Sequence, residues 1–325
     1  MLGGSVLGGS VLAGRRWRHP PTVRAGHRGG RSGPLIAAAL AGVALVAGAC
    51  GGGSSHTENA PVLTVATGLW PLAEAADVIG QANVTVVDVV PNGVDPAGYH
   101  LGADQVAELH SARVVIEMAG GLQPSFDAAA RGSKHVVEIR PSESDPYVWL
   151  NPHSMEAVGR QVAAALEAAD PKAAPTYRNG LDNFEAQLDS LDADYQSTLS
   201  DCPDQTLVTV DDAFSVLHPY YQVVDTAVAP AGTTGLPSKA TVSHEVSVIK
   251  TTGVKEIYDE SWIPESYIIP ATVATNVKVG TLDTLAGAPQ RGWPLTTDGQ
   301  KYVSLMESNL ATISSALHCP NPDSD

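Results

Sequence analysis

Three carboxylates stand where apolar runs end in the second half of this chain. Asp211 and Asp212 follow Thr206–Val210, and Asp283 follows Val277–Leu282. Carboxylates so placed could form an acid–base cluster, but no nucleophile is paired with them, so an enzyme is the least supported class. There is no Gly-rich nucleotide fingerprint, no phosphate-cradling loop and no Gly-x-Ser-x-Gly elbow. Among the histidines, His100 closes the loop Pro91–His100, which follows an apolar run. His153 lies in the first turn of an expected helix and reads as surface. His218 reads as structural, and His244 with Glu245 as the solvated face of another helix. Cys202 and Cys319 are isolated and lack the close spacing of zinc ligands.

The 325 residues suffice for two domains of ordinary size. Residues 1–49 hold six arginines and no acid, and end in the apolar run Leu35–Ala49 before Cys50. That run is short for a membrane span and has the form of an export signal. Ala47-Gly48-Ala49-Cys50 resembles a bacterial lipobox, whose cysteine would be diacylated and become the mature N-terminus; a plain signal peptide cut near Ala49 is the alternative. Residues 50–60, with Gly51-Gly52-Gly53-Ser54-Ser55, then form a flexible tether. Without residues 1–49 the chain carries 13 basic against 35 acidic residues, a net charge of −22. Such a balance disfavours nucleic acid, whose phosphates need a basic face, and suits a cationic ligand or plain solubility at a cell surface. In an exported chain the even pair Cys202 and Cys319 is expected to form a disulfide.

Positioning falls to an alternation of strands and helices. Strands are expected over Leu63–Thr67, Thr85–Val90, Val114–Met118 and His135–Ile139, all short, apolar and β-branched. Asn151 and Pro152 form a strong helix start, and Met155, Val158, Val162 and Leu166 give that helix one apolar face. From Tyr177 to Leu199 apolar residues recur at steps of three and four, predicting a helix about 33 Å long. The alternation then resumes with strands over Thr206–Val210, Val223–Val228, Lys255–Asp259 and Val277–Leu282, and a helix after Pro237-Ser238. The expected architecture is α/β: two lobes joined by one long helix, with a ligand cleft between them. Its boundaries are an N-terminal lobe at 61–170, the linking helix at 171–200 and a C-terminal lobe at 201–325.

Several motifs in order carry a resemblance. Val90-Pro91-Asn92-Gly93-Val94-Asp95-Pro96, Asp145-Pro146-Tyr147-Val148-Trp149-Leu150-Asn151-Pro152, Asp211-Asp212-Ala213-Phe214, Leu236-Pro237-Ser238 and Leu282-Asp283-Thr284-Leu285 run through residues 61–315. Together they resemble the loops of the substrate-binding lipoproteins that serve zinc and manganese ABC importers. The resemblance implies an extracytoplasmic, membrane-anchored monomer that captures zinc or manganese between its lobes and hands it to a permease with its ATPase subunit. It implies small lobe movements, because one continuous helix resists wide opening.

That family takes one metal ligand from each of four loops, and the corresponding positions here are Ala97, Tyr147, Asp211 and Asp283. Alanine cannot coordinate, and a phenol with its usual pKa near 10 stays protonated. His100, three residues beyond Ala97, is the substitute on the same loop; otherwise it is a polar loop residue. The expected ligand set is therefore His100, Tyr147, Asp211 and Asp283, an oxygen-rich group better suited to manganese than to zinc. Between Met118 and Pro146 the chain is short and holds only His135, without the His- and acid-rich insertion of many zinc members. The alternatives are a degenerate cleft that binds a metal complex or organic cation, and a surface adhesion or scaffold protein on the same fold.

Overall fold

Short β-branched runs build two parallel sheets in the computed structural model, which describes residues 62–91, 93–140, 147–229, 237–260, 265–287 and 301–320. The leader, Cys50 and the tether lie outside the described residues, as do Asn92, Asp145, Pro146 and Leu236. The N-terminal lobe runs β1 (Leu63–Thr67), α1 (Trp70–Gly80), β2 (Val84–Asp88), α2 (Ala103–Ser111), β3 (Val114–Met118), α3 (Pro124–Ala130) and β4 (Val136–Ile139). Then come α4 (Pro152–Ala169) and α5 (Ala174–Leu199). The C-terminal lobe runs β5 (Thr206–Thr209), α6 (His218–Tyr221), β6 (Val224–Ala227), α7 (Lys239–Thr252), β7 (Glu256–Asp259), α8 (Glu265–Thr275), β8 (Lys278–Thr281) and α9 (Lys301–Ala316).

The strand orders are β2-β1-β3-β4 and β6-β5-β7-β8, with every pairing parallel. In such sheets the order reverses once, between β1 and β3 in one lobe and between β5 and β7 in the other. Adjacent loops there lead to opposite faces and leave a crevice at the carboxyl ends of the strands. Strand ends fall within a residue or two of the sequence reading. The largest difference is β2, expected to reach Val90; it stops at Asp88 because Val90 N–H turns back onto the Asp88 carboxylate at 3.1 Å.

The helices between the lobes bind the molecule into one core. Asn151 caps α4, its Oδ1 accepting from His153 N–H at 3.0 Å and Ser154 N–H at 3.4 Å. Met155, Val158, Val162 and Leu166 are fully buried beneath it. At 26 residues α5 spans about 39 Å. Its Tyr177, Phe184, Leu188, Leu191 and Tyr195 enter a single apolar cluster shared by both lobes. Tyr195 donates to Met306 O at 2.8 Å, fastening α5 to α9. Cys202 and Cys319 are disulfide-bonded, tying the end of the described chain to the start of the C-terminal lobe. No described helix is long and apolar enough to cross a membrane.

Glu245 departs from its expected place on a solvated face. Its neighbour His244 is exposed, but Glu245 is fully buried between α7 and α8, against Tyr267, and burial raises its pKa.

The closest backbone approach is at Gly180, where α5 crosses the end of α1. A Cβ there would sit 2.2 Å from Ile79 O and 2.8 Å from Ile79 C, and backbone atoms cannot step aside cheaply. Gly180→Ala is expected to destabilise the protein by about 1–3 kcal/mol in urea unfolding, despite alanine's higher helix propensity. A neutral or stabilising result would show that the two helices separate readily.

Candidate functional site

Acidic side chains collect at the carboxyl ends of the C-terminal sheet. Asp211 lies two residues beyond β5 and Glu260 one residue beyond β7, the two strands that flank the switch point. Asp283 lies two residues beyond β8, and Asp225 is on β6.

Asp211 and Glu260 share a hydrogen bond. Burial first, and then the Asp211 charge, holds the Glu260 carboxyl protonated well above the usual range. Asp211 is raised by burial and lowered by Glu260 and by Ala213 N–H, which lies 3.2 Å from its Oδ1. Two carboxyls this close cannot both ionise, so Glu260 keeps the proton and Asp211 carries the charge. Thr284 Oγ1 donates to Glu260 Oε2 at 3.0 Å.

Asp283 is held by its own loop. Leu285 N–H donates to Asp283 Oδ1 at 2.7 Å, and burial pushes the carboxyl up to about 6. Asn309, from α9, accepts from Asp283 N–H at 3.1 Å and donates to Asp283 O at 2.7 Å. Leu285 adopts φ 55°, a left-handed conformation unusual for leucine, and is fully buried. Asp225 accepts from Phe214 N–H at 3.0 Å, and burial raises it to about 8. Thr209 Oγ1 contacts both Asp225, at 2.7 Å, and the Asp211 carbonyl. The hydroxyl bond to Asp225 lowers its pKa but does not offset the effect of burial.

The N-terminal lobe supplies the opposite wall. The Tyr147 phenol is raised by burial, then by the charges of Asp211, Glu260, Asp95 and Asp212, so it remains a neutral hydroxyl. Its ring meets Trp149 edge-on at 5.5 Å between centroids. Asp95 sits on the loop expected to carry the first ligand, where its Oδ1 accepts from Ala97 N–H at 2.8 Å. That loop rests on the Asp283 loop: a Cβ at Gly287 would lie 2.7 Å from Val94 O. Trp149 is fully buried and donates from Nε1 to Thr284 O at 2.7 Å.

Of the expected ligand set, the structure brings Tyr147 and Asp211 into one electrostatic neighbourhood, with Asp283 on the adjoining loop. His100 is exposed, and none of the charges acting on Tyr147, Asp211 or Glu260 comes from it. Among the described residues, no three His, Cys, Asp or Glu side chains are gathered closely enough to hold a metal ion. None of these cleft carboxylates has an ion pair with a basic side chain among the described residues. The residue reading missed Glu260 and Asp95. A polar residue directly after a buried parallel strand was the available signal for Glu260. Asp95 was visible in its motif, but only Ala97 was weighed as a ligand position.

Two parallel α/β lobes around an acidic cleft are the architecture on which the comparisons with known proteins bear. Residues 65–316 match the family described as the periplasmic component A of the zinc-uptake complex. The manganese-binding lipoprotein of Bacillus subtilis (strain 168) is 25% identical over 291 residues, covering 84% of this chain and 90% of that protein. The periplasmic zinc-binding protein of Treponema pallidum superposes with a TM-score of 0.69 at 24% identity, over 78% of this chain and 99% of that one. A laminin-binding protein of Streptococcus agalactiae, described as a bifunctional adhesin with metal-transporting activity, gives a TM-score of 0.69 at 20% identity, over 78% and 99%. The chain belongs to the family of zinc and manganese ABC-importer substrate-binding proteins, periplasmic metal-binding components of ABC metal uptake whose transported ligand is zinc or manganese.

Raised carboxyl pKa values tie stability to pH. Asp283 and Asp225 bind their protons more tightly folded than unfolded, so their contribution is present at low pH. It is lost as pH rises from the model-peptide value of 3.8 through about 6 and then about 8. The melting temperature of the chelated protein is expected to fall across that window, and Asp225→Asn to flatten its upper part. A melting temperature that rises across the window would contradict the burial argument.

Proposed function

We propose that this chain is a lipid-anchored solute-binding protein that captures a divalent transition metal, of the manganese type, and delivers it to an ABC permease and its ATPase. No chemical step is required of it. The observation that carries the reading is the electrostatic coupling of Glu260 to Asp211 and Asp283, and of Tyr147 to Asp211, Glu260 and Asp95, without a basic partner among the described residues; capture then requires the loops to draw these groups closer than they stand here. Carboxylate and hydroxyl oxygens suit a harder ion better than zinc, which favours imidazole and thiolate. Asp211 and Asp283 are the ligands in this reading. Tyr147 contributes a neutral hydroxyl, and His100 joins when its loop turns the imidazole inward. Anchoring through Cys50 is supported by the basic leader, the apolar run and the small residues before that cysteine.

A degenerate cleft that holds a metal complex or an organic cation is favoured by two observations: Ala97 at a ligand position, and the exposure of His100. One experiment separates the readings. The whole chain is chelated and melted with Zn²⁺, Mn²⁺, Fe²⁺ or Co²⁺ added singly. Binding to the native state alone adds about 2.7 kcal/mol at 100-fold excess over Kd. We expect the largest shift with Mn²⁺ and its loss in Asp283→Ala. An unchanged shift in His100→Ala removes that residue from the set. No shift with any ion would contradict the metal reading and favour the second.

A further inference from the structure

One pocket lies at the opposite end of the N-terminal sheet from the cleft. It has a volume of about 330 Å³, and its lining includes Val114, Val137 and Ala165 with Arg113, Lys134 and His135, and no carboxylate. The strands are parallel, so these residues share one edge: Arg113 directly precedes β3, and Lys134 and His135 precede β4. Arg113 N–H donates to Thr64 O, and Val115 N–H to His135 O, both at 2.9 Å, which sets the three strand starts side by side.

This basic edge stands out in a chain of net charge −16. Arg140, Arg160 and Arg178 pair with glutamates, whereas Arg113 and Lys134 have no ion pair among the described residues and are exposed. Two exposed valines, Val62 and Val136, lie at the same edge. Val62 is also where the described chain begins. Eleven residues separate Cys50 from it, and a Gly-rich tether of that length has an r.m.s. span of about 20 Å. Acylation of Cys50 would therefore hold this edge close to the bilayer.

We infer that the Arg113–Lys134–His135 pocket docks on anionic phospholipid headgroups, resting on the lipid-anchored reading above. The guanidinium and ammonium meet the headgroup phosphate, and Val62 and Val136 lie in the interfacial zone. Docked this way, the N-terminal sheet lies between the anionic surface and the acidic cleft, which lowers the repulsion a chain this acidic would otherwise feel. A second cavity among the described residues, lined by Asp204, Lys255, Glu256 and His318 among others, mixes both charges and has no such bias.

The test uses the full anchored chain in phosphatidylcholine vesicles with and without phosphatidylglycerol. A fluorophore on Ala168→Cys, an exposed position lining the pocket, reports proximity to a headgroup-attached quencher. Proximity is expected only with phosphatidylglycerol and to weaken with salt. Neutralising Arg113→Gln and Lys134→Gln together is expected to lower the docked-to-undocked ratio about 30-fold. Both residues are exposed, and an unchanged melting temperature confirms that the variant folds. Equal proximity on phosphatidylcholine alone, or in the double variant, overturns the inference. So does inorganic phosphate occupying the pocket without any lipid dependence. Mass spectrometry of the N-terminal peptide keeps the two readings apart. An unacylated Cys50 overturns the anchor and this inference with it, whereas an acylated Cys50 without lipid-dependent proximity overturns the inference alone.

Discussion

A single shared proton between Asp211 and Glu260 is the constraint around which the cleft is arranged. A buried Glu260 and a half-buried Asp211 meet because β5 and β7 flank the switch point and each strand runs into an acid within two residues of its end. Burial disfavours both charges, and proximity forbids having both at once. The hydroxyl of Thr284 and the N–H of Ala213 each occupy one acceptor of the pair and leave other carboxylate lone pairs open. A cation is the partner that such an arrangement lacks, and the family to which the chain belongs carries cations.

Much of the surrounding structure keeps these acids in register. Trp149 reaches from the N-terminal lobe to the Thr284 carbonyl, and Tyr302 of α9 donates to the Trp149 carbonyl. Asn309, also of α9, grips both backbone faces of Asp283. Asn151 caps α4 and also donates to Val216 O at 3.2 Å, so the cap that starts a helix also links the lobes. The Asp283 loop retains a left-handed, fully buried Leu285, a conformation sustained because its neighbours over-determine it. With α5 running through the shared core, the lobes are braced against each other.

The fold was legible because its signals were local. Eight short apolar strands, the Asn151-Pro152 start and the period of α5 each follow from residues close in sequence. The site was legible only in part. Asp211 and Asp283 stand at strand ends, where a parallel sheet presents ligand-facing groups, and could be named. Glu260 could not be ranked above other acids, because its importance comes from β5 and β7 being neighbours, a pairing between residues about fifty positions apart. Glu245 shows the same limit: a glutamate beside an exposed histidine reads as surface until the α7–α8 packing is known. At His100 the backbone decides, and the loop directs its imidazole to solvent.

The most direct test of the central claim is X-ray absorption spectroscopy of the chain loaded with Mn²⁺. An oxygen-dominated first shell, with at most one imidazole and no sulfur, is the result that carboxylates at the carboxyl ends of β5 and β8 predict. A shell of several imidazole nitrogens would contradict it, because the described cleft brings no such set of histidines together and the bound ion would have to lie elsewhere.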